Sequence, residues 1–332
     1  MSDHRSHVAA RRRRPRRRRG HRGRRHAPDW QRRGHAAALL RATVPALWDE
    51  LGCPLSLLHP LSAPFYRRLG WEHATRAARW AAVPAALPHH SEAALVRPAR
   101  DGDWAAIRQI QADETRPGTG SCVRDERRWD LIRLPVPGRE TFVYDAGAGV
   151  RGYLIWERGE TLSLLEMHGQ TPEARRGLAG RLARQPQPTV EWPTSPALLE
   201  RFGLPVGGPS EPDVMLRIVD LAAALAAVHA AHYAPVLVSA GTTLTILAAD
   251  GLRPENARPL RLTPAGVVPG TDSESPWLRA DIATLAQLYL GYQAPTDARA
   301  AGLLSCDSPA TLALADLLFP ARQPYLAPLD QV

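Results

Sequence analysis

Six consecutive residues near the start of the sequence form a pattern typical of a phosphate-binding turn. This segment, called the cradle below, consists of Gln31, Arg32, Arg33, Gly34, His35 and Ala36. A glycine-containing turn that opens a helix binds anionic phosphates, because the first backbone N–H groups and the helix dipole both point at the ligand. Apolar residues at helical spacing predict such a helix over 34–52, with Pro45 inside it. In the alternative interpretation, Arg32 and Arg33 are only solvent-exposed side chains at the start of a surface helix.

An arginine tract directly precedes the cradle. Residues 1–26 hold 12 of the 42 basic residues and one acid, Asp3, so the tract accounts for the net charge of +9. The remaining residues are nearly neutral, with 30 arginines and 32 acids. The chain contains no lysine, which suggests GC-rich coding DNA, and a shifted frame in such DNA yields arginine, alanine, proline and glycine. We therefore expect a disordered or mistranslated tract; the alternative is a non-specific, salt-dependent nucleic-acid arm.

The other residue types exclude several classes of protein. Three cysteines are too few and too widely spaced for a disulfide framework or a CxxC metal site, which favours the reducing cytoplasm. The histidines lack zinc-ligand spacing, so we expect no metal cofactor. No apolar run reaches the roughly 18 residues of a membrane span. The arginine tract also lacks the apolar stretch of a secretory leader. The sequence therefore predicts a cytoplasmic protein without a membrane segment.

Hydrophobic patterning predicts three units after the tract. After the helix over 34–52, the first unit has a strand at 54–58, a helix at 64–69 and a strand at 75–83. In the second, we predict strands at 95–98, 141–144, 152–157 and 161–167, helices after 103 and at 172–184, a proline-marked loop at 186–193 and a linker at 205–212. The third has strands at 214–219, 236–238, 244–249 and 260–262, and helices at 221–232, 281–289, near 296 and at 308–318. The order predicts α/β architecture followed by an α+β unit.

Two motifs, in this order, resemble the GNAT N-acetyltransferases. The cradle matches their Q/R-x-x-G-x-G/A element, which holds the acetyl-CoA pyrophosphate, with alanine in place of the last glycine. A second segment, called the Tyr66 turn below, matches their F-Y-x-x-x-G-F/W element and consists of Phe65, Tyr66, Arg67, Arg68, Leu69, Gly70 and Trp71. The helix and strand predicted between the motifs strengthen the match. The resemblance implies acetyl transfer from acetyl-CoA to a small-molecule or peptide amine.

The rest of the chain resembles the Eis family of these enzymes. A second GNAT-like start at 96–104 has no phosphate-binding loop of its own; its nearest candidate, residues 175–179, lacks the expected leader strand. The third unit is similar to that family's domain related to sterol carrier protein. The resemblance implies a partial first GNAT domain at 27–92, a second, degenerate one at 93–210 and a sterol-carrier-like domain at 211–332. It also implies a homo-oligomer, since Eis-like proteins assemble as hexamers.

The resemblance also implies two catalytic groups. Tyr66 falls where these enzymes place the tyrosine that protonates the departing thiolate; alternatively its ring belongs to the core beside Phe65. In the Eis family the terminal carboxylate of the chain acts as the general base, and here that group belongs to Val332, with a frayed tail as the alternative. Because the tract occupies the place of the family's first helix and strands, we expect an N-terminally truncated protein with weak or no activity. A non-catalytic alternative is that the sterol-carrier-like domain binds an apolar ligand.

Overall fold

The chain forms two compact units. The computed structural model describes residues 34–116, 119–207 and 209–331. The first unit comprises the described residues up to Ala74 together with Met215–Ala321, and the second comprises Thr75–Val214 and the residues from Arg322 onward. The backbone therefore passes from one unit to the other three times.

The helices and strands follow one another in three sections of the chain. The first section contains α1 His35–Asp49, β1 Leu55–Leu58, α2 Ala63–Arg67 and β2 Glu72–His73. The second contains β3 Arg76–Ala82, β4 Val96–Pro98, α3 Trp104–Thr115, α4 Glu126–Arg133, β5 Arg139–Asp145, β6 Val150–Arg158, β7 Leu162–Gly169, α5 Pro172–Ala183, β8 Val190–Thr194, α6 Pro196–Arg201 and β9 Ser210–Pro212. The third contains β10 Met215–Ile218, α7 Leu221–Val228, α8 Ala234–Ala240, β11 Leu244–Ala249, β12 Leu260–Thr263, β13 Gly266–Pro269, β14 Trp277–Asp281, α9 Ile282–Leu290, α10 Pro295–Ala300, β15 Leu304–Cys306 and α11 Pro309–Leu318.

The first unit contains a small sheet with β10 at its centre. Its strand order is β1-β10-β2, and both pairings are antiparallel. Side chains alternate along β10, as in any strand. Met215 and Val219 therefore pack into a cluster with Trp71 and α1, whereas Leu216 and Ile218 pack into the larger core beneath the other face.

That larger core lies against a five-stranded sheet. The order is β13-β12-β11-β14-β15, in which β11 and β14 are parallel and the other pairs antiparallel. Helices α7, α8, α9 and α11 cover it with buried side chains such as Leu225, Leu237, Leu285 and Leu318. This part of the chain has the α+β architecture that the sequence predicts.

The second unit is built on a seven-stranded sheet. Its order is β4-β5-β6-β7-β8-β3-β9, and every pair is antiparallel except β7 with β8. The register of β7 with β8 covers only two residue pairs, starting at Leu162 and Val190. Beside β8, Tyr325 of the C-terminal segment donates a hydrogen bond to the Pro193 carbonyl at 2.7 Å. The C-terminal segment is therefore an integral part of this unit.

Two strands lie in sheets that their position in the sequence does not suggest. Strand β3 follows β2 of the first unit directly, yet it pairs with β8 and β9 in the second unit. Strand β10 follows β9 of the second unit, yet it pairs with β1 and β2 in the first. The chain therefore changes sheets immediately after β2 and again immediately after β9.

The structure corrects four of the sequence-based predictions. The predicted linker at 205–212 contains β9, which pairs with β3. Residues 236–238, predicted as a strand from their valines, lie in α8, which ends at Gly241 in a left-handed conformation. The proline-marked loop contains β8, where Trp192 is buried in the sheet. Residues 175–179 do follow a leader strand, since β7 ends only three residues before α5 begins.

One helical run of the described residues is long and apolar enough to cross a membrane by length and composition. It spans Leu221–Ala240 and includes a π-helical turn at His229–Tyr233, and 33% of its most apolar 18-residue stretch is buried. Leu225, Tyr233 and Leu237 belong to the core of the first unit. In this structure the run is therefore a packed element of the first unit.

Candidate active site

The described part of the cradle is the start of α1. Gly34 precedes the helix with φ 82°, a left-handed conformation that glycine adopts at little cost. No side-chain hydrogen bond from the described residues caps this end, and the first turn holds no acidic residue. The Gly34 carbonyl accepts the Ala38 N–H at 2.9 Å. The backbone N–H groups of the first turn of α1 lie at the positive end of the helix dipole, which favours an anion there.

The space beside this helix start is open. A Cβ placed on Gly34 would meet no described atom within 4 Å. Farther along α1, Val44 is fully buried and packs against Leu69 and Trp71, which fixes the direction of the helix. Gly34, His35 and Ala36 are therefore placed at the end of an anchored helix. The other predicted cradle residues, Gln31, Arg32 and Arg33, lie outside the described residues.

Tyr66 is half-buried in α2. Its ring lies 5.0 Å from that of Phe65, edge to face, and both pack against the cluster that contains Val44 and Trp71. The Tyr66 carbonyl accepts the N–H groups of Leu69 at 2.9 Å and Trp71 at 3.2 Å. The structure thus brings α1 and Tyr66 together on one hydrophobic cluster, and both the catalytic and the core interpretation of Tyr66 fit this position.

An ion pair links the Tyr66 turn to β2. Arg67 donates two hydrogen bonds to the Glu72 carboxylate, one of them from Nη2 to Oε1 at 2.7 Å. The His73 N–H donates to the same carboxylate at 2.9 Å. Burial alone would raise the pKa of Glu72, but these donors hold it below its ordinary value. The turn is therefore joined to β2 by charge as well as by the backbone.

Gly70 is required at its position for two reasons. Its φ of 84° is left-handed, and a Cβ there would lie 1.7 Å from Nη1 of Arg217 and 3.0 Å from Cγ2 of Ile282. Any side chain would therefore collide with a guanidinium that lies against the backbone. This explains physically why the motif has a glycine at this point.

Arg217 is the functional candidate that the sequence analysis missed. Its side chain is fully buried on β10, and Nη1 donates to the Leu69 carbonyl at 2.9 Å. The guanidinium carbon lies 5.6 Å from the centroid of the Trp71 ring. Nη2 donates to both oxygens of Asp250, at 2.7 and 2.8 Å. The available signal was an arginine inside an otherwise apolar strand, since a buried charge needs a partner.

A cavity of about 260 Å³ lies beside this arginine. Arg68 and Gly70 of the Tyr66 turn line one wall, and Arg217 contributes to it. The loop after β11 lines the other wall with Asp250 and Leu252. Residues of the Tyr66 turn and of the five-stranded-sheet region thus share one cavity.

The predicted base, the carboxylate of Val332, lies outside the described residues. The preceding residues are held in the second unit: Arg128 donates to the Gln331 carbonyl at 3.3 Å, and Gln331 donates to Asp213 at 3.3 Å. Tyr325 is hydrogen-bonded to β8. The described part of the C-terminal segment is therefore anchored along its length.

Three charged side chains, called the Arg124 cluster below, anchor this segment from inside. Arg124 donates to Glu166 at 2.7 and 2.9 Å and to Asp330 at 2.7 and 3.0 Å, and all three side chains are at most 2% exposed. Burial alone would raise the pKa of Glu166, but Arg124 and His168 hold it well below its ordinary value. Burial and the neighbouring Glu166 charge raise the pKa of Asp330 above its ordinary value, although Arg124 acts in the opposite direction. The cluster ties the turn at Pro328–Asp330 to β7.

The start of α5 in the second unit, the counterpart of the start of α1, is capped by a side chain. Helix α5 begins at Pro172, and the Thr171 side chain accepts the Ala174 N–H at 3.2 Å. Gly177 lies inside the helix, where a Cβ would come within 2.6 Å of the Tyr144 ring. Residues 175–179 therefore form a packed helix and not a phosphate-binding loop.

The structure gives no support for a metal role of the histidines. Among the described residues no group of three or more His, Cys, Asp and Glu side chains could hold a metal ion. His229 is buried, with its Nε2 at 2.7 Å from the Thr263 carbonyl. His229 thus links the π-helical turn to β12 through its contact with the Thr263 carbonyl.

Comparison with protein families identifies three matching segments. The acetyltransferase (GNAT) domain is matched twice, over residues 26–74 and 120–218. The sterol carrier protein domain is matched over residues 221–327. No curated protein matches the chain significantly.

Solved structures share the fold. The GCN5-related N-acetyltransferase from Anabaena variabilis is 22% identical with a TM-score of 0.75, over 92% of this chain and 80% of that one. Its counterpart from Kribbella flavida is 22% identical with a TM-score of 0.73, over 92% and 78%. Eis1 from Mycobacterium abscessus is 24% identical with a TM-score of 0.63, over 90% and 79%.

These matches confirm the predicted fold class, a mixed α/β chain with an α+β domain at its end. They also confirm the resemblance to the GNAT enzymes on which the two motifs were interpreted. The chain therefore contains two acetyltransferase (GNAT) domains followed by a sterol carrier protein domain.

Proposed function

We propose that the chain is an acetyl-CoA-dependent N-acetyltransferase of the Eis family that acts on a small or peptidyl amine. The start of α1 carries this proposal. It combines a left-handed glycine at Gly34, the positive end of a helix dipole and a first turn without an acidic residue, and these features favour the binding of a pyrophosphate. The capped start of α5 supports a single cofactor site in the first domain.

Acetyl-CoA supplies the acetyl group as a thioester when it is bound. In the cradle, Gln31, Arg32, Arg33, Gly34, His35 and Ala36 hold its pyrophosphate through backbone N–H groups and positive charge. Tyr66 donates its phenolic proton to the departing sulfur. Its position on the cluster beneath α1 supports this role, since that cluster fixes both elements relative to each other.

The terminal carboxylate of Val332 accepts the proton of the amine. A carboxylate needs no side chain for this work, only a suitable position. The two acetyltransferase domains favour this function over a non-catalytic lipid-binding or nucleic-acid-binding protein. By family resemblance, the protein is cytoplasmic and assembles as a hexamer.

A rate assay with two tyrosine variants tests the proposal. Release of CoA thiol is measured with acetyl-CoA and a panel of polyamines and aminoglycosides. Tyr66→Phe removes one hydroxyl from the turn, and loss of a general acid lowers kcat by roughly 10²-fold or more. Tyr289→Phe is the matched control, because Tyr289 donates to the Ala224 carbonyl in the same unit, outside the Tyr66 turn.

Two results would count against the proposal. Absence of turnover with every amine, together with no binding of CoA, would reject acetyl transfer by this chain. Equal kcat values for the two tyrosine variants would reject Tyr66 as the acid. The absolute rate of the parent protein in the same assay tests the expectation, drawn from the sequence, that its activity is weak or absent.

A further inference from the structure

The Tyr66 turn is braced by a side chain from a distant part of the sequence. Arg217 donates to the Leu69 carbonyl, lies against Gly70 and covers the Trp71 ring, so it contacts three consecutive residues of the turn. Leu69 and Trp71 are the residues whose N–H groups bind the Tyr66 carbonyl. The guanidinium therefore fixes the part of the backbone that holds Tyr66.

Asp250 fixes the guanidinium in turn. Both of its oxygens accept from Arg217, and its side chain is 1% exposed. Oδ1 also accepts the Leu252 N–H at 3.0 Å, and Oδ2 accepts the Asn256 amide at 2.9 Å. Such a carboxylate has no freedom to follow a moving arginine. It also neutralises a charge that would otherwise be costly to bury.

The hydrogen bonds that hold Asp250 continue into the sterol carrier protein domain. Asn256 donates to the Val219 carbonyl at 3.0 Å and accepts the Leu221 N–H at 2.8 Å, so it joins the loop after β11 to the start of α7. Asp250 and Asn256 both lie within the matched segment 221–327. A continuous set of hydrogen bonds therefore runs from this domain to the Tyr66 turn.

We propose that Arg217 and Asp250 are positioning residues for Tyr66, and that through them the sterol carrier protein domain sets the geometry of acetyl transfer. This inference rests on the proposed role of Tyr66. Neither residue touches the substrate or moves a proton. A displacement of about 1 Å at a reacting group can cost about 10²-fold in rate, so a loosened turn lowers kcat. Arg217 contacts the Tyr66 turn directly and α1 only through the cluster that they share, so the KM for acetyl-CoA is expected to change less than kcat.

Arg217→Lys and Asp250→Asn test the inference. Lysine keeps the charge but lacks the two separate nitrogens with which Arg217 donates to the Leu69 carbonyl and to Asp250, and asparagine keeps the shape of Asp250. Arg253→Lys is the matched control: Arg253 is also buried and paired with carboxylates in the same unit, at Asp49 and Asp220. We expect kcat to fall 10- to 100-fold in both test variants with KM for acetyl-CoA changed less than 3-fold, and the control to keep the parental kcat.

A double variant separates positioning from a general loss of structure. If Arg217 acts through Tyr66, Arg217→Lys lowers kcat less than 3-fold in the Tyr66→Phe background. An undiminished 10- to 100-fold loss there would overturn the inference, and so would an unchanged kcat in folded Arg217→Lys. Failure of the proposed function gives a different result, because the parent itself then shows no turnover or Tyr66→Phe has the parental kcat.

Nitration of tyrosine by tetranitromethane adds a readout that does not depend on activity. Peptide mass spectrometry gives the rate at each tyrosine, and Tyr289 serves as the internal control. Arg217→Lys should change the rate at Tyr66 at least 3-fold and leave that at Tyr289 unchanged, whereas Arg253→Lys should change neither. Equal Tyr66 rates in parent and Arg217→Lys would overturn the inference.

Discussion

Substitution of Gly70 by alanine tests the geometry of the Tyr66 turn most sharply. The new Cβ would lie 1.7 Å from Nη1 of Arg217, far inside contact distance, and the guanidinium cannot retreat without leaving Asp250 or the Leu69 carbonyl. Breaking a buried ion pair in this way costs about 3–5 kcal/mol. The left-handed φ of 84° adds about 1–2 kcal/mol for a residue with a Cβ. Against a typical total of about 5–15 kcal/mol, the loss is severe.

Gly52→Ala is the matched control for this substitution. Gly52 is also left-handed, with φ 61°, but a Cβ there meets no described atom within 4 Å. Its expected loss is therefore the conformational part alone, about 1–2 kcal/mol. Urea denaturation followed by tryptophan fluorescence measures both variants.

A third variant isolates the collision with the guanidinium. In an Arg217→Ala background, Gly70→Ala should cost little more than the conformational part, because the guanidinium is gone and only the Ile282 methyl group at 3.0 Å remains close. Equal losses for Gly70→Ala and Gly52→Ala in the parent would refute the close approach of Arg217 to the turn.

Further predictions concern the titrating groups. Glu166→Gln should destabilise the second unit by about 3–5 kcal/mol in calorimetry, because it leaves part of the buried Arg124 charge without a partner. A loss below about 1 kcal/mol would contradict the pairing. The lowered pKa of Glu72 means that its contribution is present above its unfolded pKa near 4.5 and is lost as the pH falls through the folded value. Because Arg67 is 54% exposed, Glu72→Gln should cost at most about 1 kcal/mol at pH 7 and nothing in acid. Burial raises the pKa of Cys122 to about 11, so its alkylation by iodoacetamide should accelerate about tenfold per pH unit between pH 7 and 9; a rate independent of pH would contradict that pKa.

Local pattern was sufficient to predict many of the elements. Apolar spacing predicts α1, and Gly70 marks the end of the α2 turn, because both signals arise within a few residues. The same local signals fail at 236–238, where valines typical of a strand lie in α8 between Pro235 and the left-handed Gly241. Tertiary packing, with Leu237 in the core, decides that conformation.

The two strands with unexpected partners could not be predicted in this way. The pattern identifies 75–83 and 214–219 as strands, but nothing within them specifies that β3 pairs with β8 or that β10 lies between β1 and β2. Arg217 was missed for the same reason. Its partners Leu69 and Asp250 are 148 and 33 residues away in the sequence, so its contacts exist only after β10 has entered the first sheet.

Binding of CoA at the start of α1 is the central claim, and isothermal titration calorimetry measures it directly. Gly34→Asp places a carboxylate where the pyrophosphate is proposed to lie, and Gly52→Asp places the same charge on a second left-handed glycine beyond the other end of α1. We expect the parent and Gly52→Asp to bind CoA with similar affinity and Gly34→Asp to bind at least tenfold more weakly. Equal binding by all three proteins, or no binding by the parent, would contradict the account.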